Sequence, residues 1–151
     1  MIFYFKYIKD NLHLVKHSAN RKLFELVCEK QWLTWLGLAF ERFIVKYAVY
    51  IAEQMGFGDE ILSFGSYQKN NCQIDLVYKR SDKTYVICEI KYREDTIKSD
   101  IIPELERKIS AFSVPRGYSV EKALICVHGA STELVKSEYF NYIVTIDEIL
   151  P

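Results

Sequence analysis

QIDLVYKRSDKTYVICEIK, residues 73–91, reads as one β-hairpin. Two runs rich in β-branched and aromatic residues, 72–79 and 84–92, flank a polar turn of Arg80, Ser81, Asp82 and Lys83. With the turn centred on Asp82, partner numbers in an antiparallel pair sum to a constant. Asp75 then falls opposite Glu89, and Gln73 opposite Lys91. Strand alternation sends Cys72, Ile74, Leu76, Tyr78, Val86, Cys88, Ile90 and Tyr92 to the other, apolar face, which is expected to be the core side. Two carboxylates with Cβ atoms about 5 Å apart repel unless a cation or a proton sits between them. Lys91 supplies one cation, and a divalent metal would supply another.

Upstream, residues 31–55 form the longest helical period, with Leu36, Phe40, Phe43, Tyr47 and Ile51 as the expected apolar stripe and Gly56 and Gly58 as its stop. Leu38, Glu41, Val45, Ala48 and Ala52 lie on the flank of that stripe. Glu41 therefore sits on an apolar flank, where a carboxylate costs free energy unless it is paired, protonated or metal-bound. Residues 59–67 read as a strand and 68–71 as a bend. After the hairpin, Ser99 or Asp100 is expected to cap a helix that holds Pro103 in its first turn and runs through Leu105, Ile109 and Phe112. Residues 122–128 and 142–146 read as two further strands, 129–137 as a loop with a helical turn, and Asp147 as the cap of a terminal turn. Near the start, residues 2–14 and 21–30 read as helices, the second capped by Asn20. The order is helices, then α-β-β-β-α-β-β: one α/β domain with an N-terminal helical extension.

The chain has 151 residues, half of them hydrophobic, enough for one domain with a substantial core. Lys plus Arg equals Asp plus Glu at 20 each, so any nucleic-acid contact must be local. Cys28, Cys72, Cys88 and Cys126 lie far apart without zinc-ligand spacing and read as reduced, mostly buried thiols. His13 and His17 share a helical face but have no third ligand nearby, so they are not read as a metal site. Glu41, Arg42 and Lys46 interrupt the most apolar region, and the first residues lack a secretory leader, so a cytoplasmic protein without membrane spans is expected.

A helix carrying Glu41, then Asp75 on one strand and Glu89-Ile90-Lys91 on the next, followed by a helix, resembles the PD-(D/E)XK, or restriction-endonuclease-like, nuclease superfamily. WLGLAFERFI, QIDLVYKR and ICEIKYRE are similar, more narrowly, to the C-terminal nuclease-like domain of archaeal and bacterial AAA+-type ATPases. The resemblance implies an αβββαβ core, a mixed sheet flanked by helices, over residues 31–151. It also implies that residues 1–30 are a helical extension joining a winged-helix and ATPase part. It gives Asp75, Glu89 and the main-chain carbonyl of Ile90 the role of metal ligands, Lys91 that of orienting or activating the attacking water, and Glu41 that of an outer metal or water contact. The expected cofactor is Mg²⁺ or Mn²⁺, whose preference for oxygen ligands suits these residues. Ile74 stands where the family has proline. No G-x-x-x-x-G-K stretch is present, so an AAA+-type ATPase is expected as a partner in cis or trans.

Two functions follow as expectations. One is a metal-dependent nuclease acting on DNA, with Lys69, Lys79, Lys91, Arg93 and Lys98 lining the cleft. The other is a catalytically silent module of the same fold that binds nucleic acid or a partner. Its aromatic N-terminus, Phe3, Tyr4, Phe5 and Tyr7, would supply a surface for self-association.

Overall fold

The structure, a computed structural model, describes residues 4–17, 29–69 and 72–150. It divides into two compact units, residues 1–38 and 39–151. In the first, a π-helical turn Tyr4–Ile8 and a 3-10 turn Lys9–Asn11 lead into α1, Leu12–His17, in place of one continuous helix from residue 2. The Tyr4 and Phe5 rings meet edge to face and are exposed. The expected helix over 21–30, its Asn20 cap and Cys28 lie outside the described residues, apart from Glu29 and Lys30, which open α2, Glu29–Lys46.

The second unit is a five-stranded mixed sheet flanked by helices. The strands are β1 (Ile61–Lys69), β2 (Cys72–Arg80), β3 (Thr84–Lys91), β4 (Ser119–Cys126) and β5 (Tyr142–Thr145), and they lie in that order across the sheet. β1, β2 and β3 form an antiparallel meander, whereas β3, β4 and β5 run parallel. The parallel steps are bridged by α4 (Ile102–Ala111) and α5 (Thr132–Lys136), while α3 is Ala48–Gln54 and α6 is Ile146–Ile149.

Both faces of the sheet are covered over its central strands. Phe40, Ile44, Ala48, Ile51 and Ala52 pack on Leu76, Tyr78, Val86, Cys88 and Ile90. On the opposite face Leu105 and Leu134 pack on Cys72, Ile74, Val77 and Ile87. The hairpin register is the expected one from Leu76↔Cys88 to Lys79↔Tyr85. The expected face assignment fails at Cys72 and Ile74, and the cause is a bulge. Tyr67 pairs with Ile74 and Gly65 with Val77, so β2 spends one residue more than β1 and alternation slips at Asp75–Leu76.

The helical stripe also differs from expectation. Tyr47 leaves the helix (φ −101°, ψ 19°), shares its N–H between the carbonyls of Phe43 and Ile44, and is 41% exposed. The small residues Ala48 and Ala52 face the sheet instead. Their size lets the buried Tyr78 hydroxyl donate to the Ala48 carbonyl at 2.7 Å. Tyr78→Phe is expected to cost about 1 kcal/mol in chemical denaturation, because the carbonyl loses that partner. α3 ends on Gly56, whose φ of +84° suits glycine, and a Cβ on Gly58 would lie 2.5 Å from Glu53 Cγ.

Two expected caps are corrected. No side chain caps α4; a 3-10 turn, Ser99–Ile101, feeds into it, and Asp100 pairs with Arg93 at 2.9 Å. Thr145, not Asp147, caps α6, in a capping box with Glu148. Cys72, Cys88 and Cys126 are buried free thiols. No helix among the described residues is long and apolar enough to cross a membrane.

Candidate functional site

The β2–β3 ladder stops at Leu76↔Cys88, although β2 extends back to Cys72 and β3 on to Lys91. The strands part there, and Asp75 and Glu89 stand on the two sides of the opening. In an open α/β sheet, ligands bind beyond the carboxyl ends of the parallel strands, and Glu89-Ile90-Lys91 is such an end. The Phe40 ring meets Tyr92 edge to face at 6.0 Å, tying the helix that carries Glu41 to the end of β3.

Glu89 is the anchor. It is 1% exposed and holds two ammonium groups. Lys91 Nζ lies 2.7 Å from Oε1, and Lys108 Nζ, from α4, donates to Oε2 at 2.7 Å. The Lys91 contact is off the hydrogen-bond direction, so the buried Oε1 is ion-paired yet accepts no hydrogen bond. Glu104, one turn before Lys108, stands 3.6 Å from Lys91 and 3.5 Å from Lys108. Glu89, Lys91, Glu104 and Lys108 thus close a ring of alternating charge.

Asp75 and Glu41 face this ring without a hydrogen bond or ion pair among the described residues. Burial first, and then the charge of Glu89, push the Asp75 carboxyl above its ordinary 3.8, while Lys108 and Lys91 pull it down. Burial and then Asp75 itself raise Glu41 above 4.5. Burial raises Glu104 too, but Lys91 and Lys108 outweigh it and the net shift is downward. Lys108 is held above its ordinary value because Glu89, Asp75 and Glu104 outweigh its desolvation. The group comprises Glu41, Asp75, Glu89 and Glu104 against Lys91 and Lys108. Four carboxylates minus two ammoniums leave two negative charges unbalanced when all are ionised.

The raised Asp75 carboxyl makes stability depend on pH. A carboxyl whose folded pKa exceeds its unfolded one favours the fold in its protonated form. That contribution is complete below about 3.8 and is lost as pH rises through the folded value. Asp75→Asn is therefore expected to raise the melting midpoint by about 2 °C at neutral pH, with the difference vanishing as the pH falls below 4. Melting curves of both proteins from pH 3.5 to 7.5 test this.

The chain matches the family DUF234, described as archaeal and bacterial proteins of unknown function, over residues 4–103. It belongs to this family. No curated protein and no solved structure matches significantly. The DUF234 match takes in Glu41, Asp75, Glu89 and Lys91 and stops short of Glu104 and Lys108. Sequence reasoning missed those last two residues. Their signal was present, since Lys108 lies three residues after Leu105 and four before Phe112, on the inward side of α4, where an unpaired ammonium would be costly.

In this DUF234 chain the donor set fits a hard divalent cation in chemistry and in charge. Oxygen donors prevail, Oε1 of Glu89 accepts no hydrogen bond, and Asp75 and Glu41 make no ion pair among the described residues. The arrangement is not closed around such an ion: among the described residues no three His, Cys, Asp or Glu side chains converge as metal ligands. Glu89 is turned to its two lysines instead. Of the basic residues expected to line a cleft, Arg93 is bound to Asp100 and the Lys79 ammonium sits over Tyr118. Lys79 is also four residues along β2 from Asp75, about 13 Å at 3.3 Å per residue.

Proposed function

We propose that this chain is a metal-dependent phosphodiesterase of restriction-endonuclease-like fold, acting on DNA with Mg²⁺ or Mn²⁺ and working with an AAA+-type ATPase. The observation that carries the reading is the juxtaposition at the β2–β3 opening. Asp75 and Glu41, which make no ion pair among the described residues, face a buried glutamate and two lysines. The order of helix, antiparallel meander, helix and parallel strand supports the finer fold assignment.

Asp75, Glu89 and the Ile90 carbonyl would hold the metal, and Glu41 would make an outer contact. When bound, the metal supplies an acidified water and neutralises charge developing on the phosphate. Lys91, anchored on Glu89, positions the attacking water and adds positive charge beside the phosphate oxygens. Burial of Glu89 and packing of α4 over the sheet exclude bulk water from one side, which strengthens each of these interactions. Calorimetric titration with Mn²⁺ and Mg²⁺ tests the site. Saturable binding to the intact protein and at least about tenfold weaker binding to Asp75→Asn are expected. Equal binding by the two proteins would remove the assignment.

The silent-module reading draws on a separate observation, the exposed rings of Tyr4 and Phe5, at 44% and 54%. It is distinguished by DNA retention that needs no divalent metal and is unchanged in Asp75→Asn.

A further inference from the structure

We propose that Lys108 is a resident counter-cation of the site, which competes with a divalent metal for Glu89, and that Glu104 is the seat to which its ammonium moves. The proposal rests on the metal-site reading given above.

Three observations lead to it. First, both oxygens of Glu89 are engaged by ammoniums at 2.7 Å, in a residue only 1% exposed, so a metal that takes this carboxylate competes for it with resident cations. Second, the two lysines are not equivalent. Lys108 makes an aligned hydrogen bond to Oε2, whereas Lys91 approaches Oε1 off the hydrogen-bond direction. Lys108 is thus the stronger competitor for the carboxylate. Third, a second acceptor for the Lys108 ammonium already stands one helical turn away. Glu104 Oε1 is 3.5 Å from Lys108 Nζ, on the same face of α4, and Glu104 is half exposed, at 46%, against 12% for Lys108. A small rotation of the Lys108 stem exchanges a buried carboxylate for one near solvent, so the ammonium never loses a partner.

The exchange has a consequence for substrate. A cation moved from Glu89 toward Glu104 stays within the site, beside the bound metal, and presents positive charge to an anionic ligand. A phosphodiester would then meet Lys91 and Lys108 together, which makes Lys108 a positioning residue both for the metal and for the phosphate.

The test is calorimetric titration of Mn²⁺ into the full chain, with thermal melts to establish folding. Lys108→Met removes the competing ammonium and keeps the apolar stem; Mn²⁺ is expected to bind about tenfold more tightly, the scale of one hydrogen bond to a charged group. Lys108→Arg keeps the charge but grips a carboxylate through two parallel N–H groups, so about threefold or greater weakening is expected. Glu104→Gln removes the alternative seat and is also expected to weaken binding. Lys136→Met, at an exposed position of α5, serves as a control for bulk charge and should match the wild type.

Tight binding by the wild type with equal or weaker binding by Lys108→Met would overturn the proposal and leave the metal site standing. Tighter binding by Lys108→Met with wild-type affinity in Lys108→Arg would overturn it as well, since net charge alone would then account for the gain. Binding seen only after Lys108→Met would support it. If neither protein binds Mn²⁺, or if Asp75→Asn binds as the wild type does, the metal reading itself falls and the proposal with it. Should Lys108→Met fail to fold, Lys108→Arg and Glu104→Gln decide the matter.

Discussion

Asp75→Ala and Lys91→Ala each lower Mg²⁺- or Mn²⁺-dependent cleavage of DNA by about 100-fold or more, with the far-UV circular dichroism spectrum unchanged. This is the expected result if the opening between β2 and β3 is a phosphodiesterase site. The two side chains sit at partly exposed positions and end in groups that packing does not require. Asp75 carries no ion pair among the described residues, and its charge is unfavourable in the metal-free fold. Lys91 has a side chain 24% exposed and shares Glu89 with Lys108, so its loss does not leave Glu89 alone. A drop in activity with an intact fold therefore reports on chemistry. Cleavage that persists in both variants would refute the assignment. Supercoiled and linear DNA incubated with each metal, with chelator as the blank, provide the measurement.

Glu89→Ala has the largest expected effect on stability, a loss of about 3 kcal/mol in urea denaturation. The carboxylate is buried, and removing it strands two ammoniums at the base of the site, one of them on the inward side of α4. Glu104 would recover part of the loss by drawing both lysines outward. Glu89→Gln is expected to cost less, because the amide oxygen still accepts from one lysine. An Ala variant that melts with the wild type would mean that the charge ring is not formed in solution. For the same reason Glu89→Ala is a poor probe of catalysis, since lost activity would be confounded with lost structure.

Much of the site could be read from the chain because strand period and turn position are local properties. Alternation through Leu76, Tyr78, Val86, Cys88 and Ile90 gave the face these residues share, though it failed at Cys72 and Ile74, and the polar turn fixed the register that the ladder follows from Leu76↔Cys88 to Lys79↔Tyr85. Glu41 stood out because an acid on an apolar flank demands a partner, and the residues that act on it are Asp75, Lys91, Lys108 and Glu89. The bulge at Asp75–Leu76 could not be read in this way. It arises from the pairing of β2 with β1, and a slipped strand has the same apolar and polar residues as a regular one. Lys108 escaped notice for a related reason: its partner Glu89 lies nineteen residues away on another element. The shift of the helical stripe toward Ala48 and Ala52 likewise depends on how closely the sheet approaches, which hydropathy does not encode.

β1 has a second irregularity, where Ile61 pairs with Arg80 and Ser63 with Lys79, leaving Leu62 as an extra residue on the edge strand itself. β1 lies at one end of the sheet order and exposes Leu62 and Phe64. A flat nine-residue edge with such side chains would template pairing with another chain. The extra residue at Leu62 bends and twists that border, so the hydrogen-bonding groups on either side of it no longer present one continuous row. Deleting Leu62 would straighten the strand, and the cost would be read in aggregation rather than in folding.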